Sequence, residues 1–142
     1  MSVDSHRTVT ITRTSAGRYS AANGRGGVLD FGTGEVDDFT PVELFLTAIG
    51  GCTAVDVDIL TTRRAEPESF VVQVDGEKNE GGSGGNRMEE LSVTFRLKFP
   101  EGDGGDAARA LLPDIVRRSH DRLCTVSRTV ELGTPIAARI ES

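Results

Sequence analysis

The sequence contains two cysteines, Cys52 and Cys124, and these are the side chains best suited to covalent chemistry. A cysteine reacts as its thiolate, which a nearby positive charge or hydrogen-bond donor must favour. Cys52 lies inside the apolar stretch TPVELFLTAIGGCTAVDVDIL, directly after Gly50 and Gly51. Because glycine inside a helix costs about 1 kcal/mol relative to alanine, the pair predicts close packing of another segment, open access to the thiol, or both.

The helix around Cys52 does not itself supply an activating group. Asp56, one turn further on, is an acid and opposes ionisation of a neighbouring thiol. Cations occur elsewhere, in the N-terminal region and just before Cys124: Arg18, Arg117, Arg118, His120 and Arg122. Composition does not choose among them, and without activation Cys52 is simply a small core residue. A metal site is disfavoured, because the sequence has only two histidines and no closely spaced pair of ligands.

The composition is that of one soluble globular domain over residues 1–142, with 37% hydrophobic and 27% charged residues. A net charge of -6 argues against nonspecific nucleic-acid binding, which requires a basic surface. The first residues do not resemble a signal peptide, and no uninterrupted apolar run approaches the length of a membrane span. We therefore expect a cytoplasmic protein with no nucleic-acid or membrane partner. In that reducing compartment we do not expect the cysteines to form a structural disulfide, so they are either inert or redox-active.

Three short strands are predicted before the apolar stretch. Residues 7–14 alternate apolar and polar, SAGRYSAA follows a turn as their hairpin partner, and VLDF is the third strand. The central helix is predicted from Thr40 to about Arg64. Thr40 suits the N-cap, Pro41 the first helical position, and Glu43 completes a capping box. Apolar side chains surround much of this helix, which predicts burial on most sides.

Two strands and a second helix are predicted after the central helix. Residues 70–79 and 87–99 form a long hairpin with EGGSGGN as its tip. A helix is predicted over residues 106–122, and Pro113 should kink or restart it. CTVSRTVE follows as a further helical turn or two, and PIAARIE as a last strand. The order β-β-β-α-β-β-α-β, with its strands in clusters, indicates an α+β fold of mostly antiparallel sheet.

Two stretches resemble motifs of the osmotically inducible protein C and organic hydroperoxide resistance (OsmC/Ohr) family. TPVELFLTAIGGCTAVDV is similar to the central-helix motif of that family, and SHDRLCTVSRTVE to its second-cysteine motif. The hairpin that ends in GVLDF and the order of elements agree, so the resemblance covers essentially the whole chain. It implies antiparallel sheets around a long buried helix, in an intertwined homodimer with active sites at the subunit interface.

The resemblance also implies thiol-dependent peroxidase chemistry without a metal or other cofactor. Cys52 matches the peroxidatic cysteine, which attacks the hydroperoxide, and Cys124 matches the resolving cysteine, which closes a disulfide with it. Arg18 falls at the position of the catalytic arginine, which stabilises the thiolate and orients the hydroperoxide. By this resemblance the substrate is an organic hydroperoxide, the reductant is a dithiol, and the role is oxidative-stress defence.

One position departs from the hydroperoxide-resistance pattern, in which a glutamate directly follows the helix-opening proline and pairs with the arginine. Here Val42 takes that position and Glu43 comes one residue later. On an ideal helix Glu43 points away from Cys52, so Glu43 is only a secondary candidate for the site. Asp56 and His120 are the other secondary candidates. The departure leaves a second hypothesis open: a non-catalytic protein of the same fold that binds a small apolar ligand at the dimer groove.

Overall fold

The structure of this protein, a computed structural model, describes residues 4–141, so residues 1–3 and 142 of the predicted domain lie outside the described residues. The chain forms two compact units, Met1–Phe45 and Leu46–Ser142. The long helix α1, Pro41–Thr62, begins in the first unit and continues in the second. The order of elements is β-β-β-α-β-β-α followed by a further short helix, which confirms an α+β fold with antiparallel sheets.

The first unit contains a three-stranded antiparallel sheet in the order β1-β2-β3. Its strands are Thr10–Ser15, Arg18–Ala22 and Val28–Gly32, close to the predicted ones, although β1 begins at Thr10 rather than at residue 7. Gly17 makes the tight turn between β1 and β2 with a φ of 70°, a conformation that favours glycine. Tyr19 and Phe31 stack across β2 and β3 with ring centroids 5.4 Å apart.

Helix α1 begins with the predicted capping box. The backbone N–H of Thr40 donates to Oε1 of Glu43 at 2.8 Å, and the backbone N–H of Glu43 donates to Oγ1 of Thr40 at 3.2 Å. These reciprocal bonds satisfy donors that a helix N-terminus otherwise leaves without an intrahelical partner. The interpretation of Glu43 as a capping residue is therefore confirmed.

Burial of α1 is confined to one stripe, formed at helical spacing by Ile49, Gly50, Thr53, Val57 and Thr61. On the other side Val55 is 58% exposed and Ile59 is 53% exposed. The prediction that the helix is buried on most sides is thus wrong for this single chain, because nothing among residues 4–141 covers that side. By length and composition alone α1 could cross a membrane, a test that the core helix of a globular protein also passes.

The second unit contains a long antiparallel hairpin. Strand β4, Ser69–Asn79, pairs with β5, Arg87–Lys98, as the alternating pattern predicted, and the glycine-rich segment joins them as the tip. The register shifts between Asp75 and Glu77, which marks a β-bulge, and nearby Glu90 adopts a positive φ of 53°.

The second unit continues with helix α2, Asp103–Arg118, which begins earlier than the predicted residue 106 and runs on through Pro113 without restarting. Pro113 is exposed at the helix surface, where water can hydrate the carbonyl that loses its partner. A π-helical turn, Ser119–Leu123, follows, and helix α3, Thr125–Leu132, begins after Cys124. The expected further helical turns over CTVSRTVE are confirmed.

The predicted last strand, PIAARIE, does not form. Residues 134–141 have no assigned strand, and Ile136 and Ile140 are 94% and 99% exposed. A strand needs a neighbouring strand for its backbone hydrogen bonds, and within residues 4–141 none pairs with this segment. The alternating sequence pattern was correct for a strand but could not show where its partner is.

Candidate active site

The fold brings the two cysteines, which are distant in sequence, to the same place in the second unit. The side chain of Cys124 lies close enough to the Cys52 thiol to raise its pKa. Both thiols are free; Cys52 is partly exposed, whereas Cys124 is fully buried. The structure therefore provides an accessible thiol backed by a protected one, an arrangement in which a single sulfur–sulfur bond could form without long-range movement.

The N-terminus of α3 directs backbone donors at both sulfurs. Cys124 is the N-cap residue, and its Sγ accepts the backbone N–H of Ser127 at 3.4 Å while its thiol donates to Ser127 Oγ at 3.2 Å. The backbone N–H groups of Val126 and Thr125 lie near the Cys52 sulfur and lower its pKa. These are the first N–H groups of the helix, which lack intrahelical partners and favour negative charge.

The balance of these contacts raises the pKa of Cys52 above its ordinary value. Burial is the largest cause, because it disfavours the charged thiolate. The backbone N–H of Val126 and, more weakly, that of Thr125 lower the pKa, whereas the hydrogen bond and the charge of Cys124 raise it further. Among the described residues, no cationic side chain contributes to this balance. The contacts of the single chain therefore favour the protonated form of Cys52 over the thiolate.

Gly50 and Gly51 have different surroundings. A Cβ on Gly50 would lie 2.4 Å from Cγ2 of Val74 in β4, so this glycine permits close packing of the helix on the hairpin. A Cβ on Gly51 would have no neighbour within 4 Å. The two alternatives predicted for the pair thus apply one to each residue: close packing at Gly50 and open space at Gly51, beside Cys52.

Asp56 and two hydroxyl residues form a hydrogen-bond chain near the thiols. Ser119 Oγ donates to Asp56 Oδ2 at 2.7 Å and lies 2.8 Å from Thr53 Oγ1. Asp56 was predicted as an acid one turn from Cys52 and as a secondary candidate, whereas Thr53 and Ser119 were missed. Each is a small hydroxyl residue near a cysteine in sequence, a signal too common to identify a network between distant segments.

His120 lies in the π-helical turn, four residues before Cys124, and is 57% exposed. Its Nδ1 is 2.9 Å from Asp121 Oδ1, and its Nε2 is 2.9 Å from Glu131 Oε1 in α3. Within residues 4–141 its ring contacts neither thiol, and no cluster of three or more potential ligands there could hold a metal ion. His120 therefore links the turn to α3.

Arg18 and Glu43 belong to the first unit. Arg18 begins β2, and its guanidinium Nη2 is 3.7 Å from Asp38 Oδ2, with both side chains partly exposed. Glu43 caps α1 as described above. Asp38 was not singled out from the sequence, because nothing local distinguishes it from the neighbouring acid Asp37 in the same loop.

A cavity of about 440 Å³ lies within the second unit, between α1, β5, α2 and α3. Its wall is mainly apolar and includes Ile49, Leu91, Val93, Phe95, Val116 and Val130. Ser127, the hydrogen-bond partner of Cys124, borders it together with His120 and Glu131. The volume falls in the range of small-molecule sites, about 300–1,000 Å³.

The fold and the site define the class: a small α+β protein whose central helix carries one cysteine against a second at a helix N-terminus. The family model for OsmC-like proteins matches residues 32–139, which is more than half of the chain. The chain belongs to the OsmC-like family.

Solved structures share this fold. A hypothetical protein from Aquifex aeolicus VF5 is 25% identical; the match covers 94% of this chain and 91% of that chain, with a TM-score of 0.69. An OsmC-like protein of unknown function from Vibrio cholerae is 15% identical, with coverages of 90% and 95% and a TM-score of 0.72. The organic hydroperoxide resistance protein OhrB of Bacillus subtilis is 17% identical, with coverages of 87% and 90% and a TM-score of 0.53. Comparison with curated protein sequences found no match.

Proposed function

We propose that this protein is a thiol peroxidase that reduces organic hydroperoxides, with Cys52 as the peroxidatic and Cys124 as the resolving cysteine. The observation that supports this most strongly is the contact between the two thiols at the N-terminus of α3. Membership of the OsmC-like family, and the fold shared with a hydroperoxide resistance protein, agree with a peroxide-related role.

The reaction needs no cofactor. The Cys52 thiolate attacks the O–O bond of ROOH, Cys52 becomes a sulfenic acid, and the released alkoxide takes a proton to leave as the alcohol ROH. The Cys124 thiol then attacks the sulfenic sulfur; the S–S bond forms, and the hydroxyl group leaves with the thiol proton as water. A dithiol reductant supplies two electrons and two protons, restores both thiols and is itself oxidised to a disulfide.

Arg18 is the proposed source of the positive charge that Cys52 lacks. Burial raises the pKa of Cys52, so the reactive thiolate requires a cation to offset this cost. A guanidinium also has donors suited to the two peroxide oxygens. Asp38, 3.7 Å away, orients the guanidinium of Arg18 in the first unit.

The assembly that we propose is a cytoplasmic homodimer whose interface includes the exposed side of α1. This side carries Val55 and Ile59, both more than half exposed, and the open space at Gly51. The C-terminal segment, with Ile136 and Ile140 exposed, has the alternation of a strand and gains a partner in the same assembly. No nucleic-acid or membrane partner is proposed.

A second candidate function is non-catalytic binding of a small apolar ligand. Two observations favour it: the apolar cavity of about 440 Å³ in the second unit, and the raised pKa of Cys52. A raised pKa lowers the fraction of reactive thiolate that a peroxidase needs. In this case the cysteines would serve as packing residues or as a passive redox sensor. The two functions differ in one measurable property, the rate at which Cys52 reacts with a peroxide.

The test is the rate of Cys52 oxidation by cumene hydroperoxide and by hydrogen peroxide, with free thiols counted. The peroxidase predicts rapid loss of both thiols in the wild type, a trapped sulfenic acid in Cys124→Ser and no turnover in Cys52→Ser. Oxidation no faster than that of free cysteine would contradict the peroxidase and favour the ligand-binding protein.

The role of Arg18 is tested with a matched pair of variants. Arg18→Met should slow oxidation about tenfold or more, because an adjacent opposite charge shifts a pKa by about one unit or more. Arg13→Met removes an exposed arginine from the neighbouring strand β1 and should leave the rate unchanged. Equal rates in the two variants would exclude Arg18 from the reaction.

A further inference from the structure

Ser119 connects the helix that carries Cys52 with the backbone of Cys124. Ser119 is fully buried, and its single hydroxyl proton goes to Asp56 Oδ2 at 2.7 Å. Thr53 must therefore donate its own proton to Ser119 Oγ, 2.8 Å away. The result is a directed chain of two hydrogen bonds, from Thr53 through Ser119 to Asp56, in which each bond polarises the next.

Two of the three hydrogen-bonded residues, Thr53 and Asp56, lie on α1 close to Cys52, the proposed peroxidatic cysteine. Thr53 directly follows Cys52 in sequence, and Asp56 lies one helical turn beyond it. Residues three and four apart are neighbours on a helix surface, so Thr53 and Asp56 are adjacent, and Asp56 and Cys52 are adjacent. The side chain of Ser119 is therefore fixed to the surface of α1 that bears the reactive sulfur.

The main chain of Ser119 fixes the other sulfur. The backbone N–H of Cys124 donates to the Ser119 carbonyl at 2.8 Å, the five-residue bond that closes the π-helical turn. In an uninterrupted α-helix that N–H would bond to the carbonyl of His120 instead, and Cys124 would point in a direction about 100° away. The π-helical turn thus sets the direction of the Cys124 side chain.

We propose that Ser119 is a positioning residue that, through Thr53 and Asp56, holds Cys124 where it can close a disulfide with Cys52. This inference rests on the proposed function in one respect, the role of Cys124 as the resolving cysteine. In that step the Cys124 sulfur attacks the Cys52 sulfenic sulfur, the S–S bond forms and water leaves. Ser119 touches neither reacting sulfur; it acts through the backbone of Cys124.

The test measures the disulfide equilibrium without any peroxide. The purified full chain is equilibrated in buffers of reduced and oxidised glutathione, quenched with acid, and analysed by mass spectrometry. In this exchange the two protein thiols and one molecule of oxidised glutathione give the protein disulfide and two molecules of reduced glutathione. The equilibrium constant reports how well the reduced protein pre-positions its two sulfurs.

Four variants separate positioning from general stability. Ser119→Ala removes the central hydroxyl, and Thr53→Val removes one bond with little change of shape. Thr53→Ser restores that hydroxyl and should rescue the equilibrium constant. Thr61→Val is the matched control, because Thr61 is fully buried on α1 and its hydroxyl donates within the helix itself, to the carbonyl of Val57.

We expect Ser119→Ala and Thr53→Val each to lower the equilibrium constant about tenfold, the scale of one buried hydrogen bond. Thr61→Val and Thr53→Ser should stay within about twofold of the wild type. A purely structural role would destabilise reduced and oxidised protein alike and leave the constant unchanged. Equal constants for Thr53→Val and Thr61→Val would overturn the inference, even if Ser119→Ala did not fold.

The outcome is independent of the peroxidase assay. A wild type that forms the disulfide with glutathione but reacts slowly with peroxides would contradict the proposed function and leave the positioning role intact. A wild type that turns over peroxide, with variants that match the control, would overturn only the role of Ser119. A wild type in which glutathione forms no disulfide would overturn the positioning role, because there would be no pair to position.

Discussion

Replacing Gly50 or Gly51 with alanine tests the packing of α1 at two adjacent positions. In Gly50→Ala the new Cβ would lie 2.4 Å from Cγ2 of Val74, well inside van der Waals contact. Valine has a stiff side chain, and this one stands in the middle of a paired strand, so it cannot turn aside freely. Gly51→Ala meets no neighbour within 4 Å and serves as the control.

The expected magnitudes follow from two opposing terms. Alanine in place of glycine inside a helix stabilises by about 1 kcal/mol, and both variants gain this. Overpacking costs about 1–3 kcal/mol, and Gly50→Ala alone bears this cost. We therefore expect Gly50→Ala to be about 2 kcal/mol less stable than Gly51→Ala, with wild type between them.

The assay is urea denaturation at several protein concentrations, followed by circular dichroism. Equal stability of the two variants would refute the packing argument. If Gly51→Ala were instead destabilised, with a midpoint that moved with protein concentration, Gly51 would lie against a second copy of the chain. That result would support the proposed dimer, and Gly50→Ala would then have to be compared with the wild type instead.

The remaining predictions concern the thiol and the helix cap. In Arg18→Met, the rate of Cys52 alkylation by iodoacetamide should rise with pH through a midpoint above about pH 8.5, because burial raises the pKa of Cys52. Adding Cys124→Ala should lower that midpoint, because Cys124 also raises the pKa. The same raised pKa stabilises the folded chain below about pH 8.5, an advantage that is lost as the pH rises through the folded-state pKa; a midpoint at or below that of free cysteine would contradict this. Thr40→Ala should cost about 1 kcal/mol in urea denaturation and Thr40→Ser far less, because only alanine lacks the capping oxygen; equal losses would contradict the capping role.

Local features were predictable from the sequence. The capping box requires only the types and spacing of Thr40 and Glu43, and the hairpin of β4 and β5 follows from alternation on both sides of a glycine-rich tip. These signals are short-range, so the surrounding fold cannot easily override them. The glycine pair also indicated close packing of another segment, which the structure shows at Gly50, although the sequence did not identify Val74 as the neighbour.

Features that depend on distant partners were not predictable in this way. Composition gave α1 an apolar surface on most sides, but exposure of Val55 and Ile59 depends on what lies beyond the single chain. The prediction of a last strand over PIAARIE was wrong for the same reason. Alternation specifies the two faces of a strand, but not the sheet edge with which it pairs. Thr53 and Ser119 were missed because each is unremarkable until the fold brings them within 2.8 Å.

The position of the acid near the arginine bears on how the thiol could be activated. The hydroperoxide-resistance pattern uses the glutamate after the helix-opening proline for this purpose, and here Val42 occupies that position. Glu43 is engaged in the capping box, whereas Asp38 is the carboxylate 3.7 Å from Arg18. An aspartate on a loop before α1 can orient a guanidinium as a helix-borne glutamate does, so loss of the usual glutamate does not by itself remove the means of holding Arg18. In the proposed peroxidase, the cost to be offset is therefore the partial burial of Cys52, which raises its pKa, and the rate in Arg18→Met tests whether Arg18 offsets that cost.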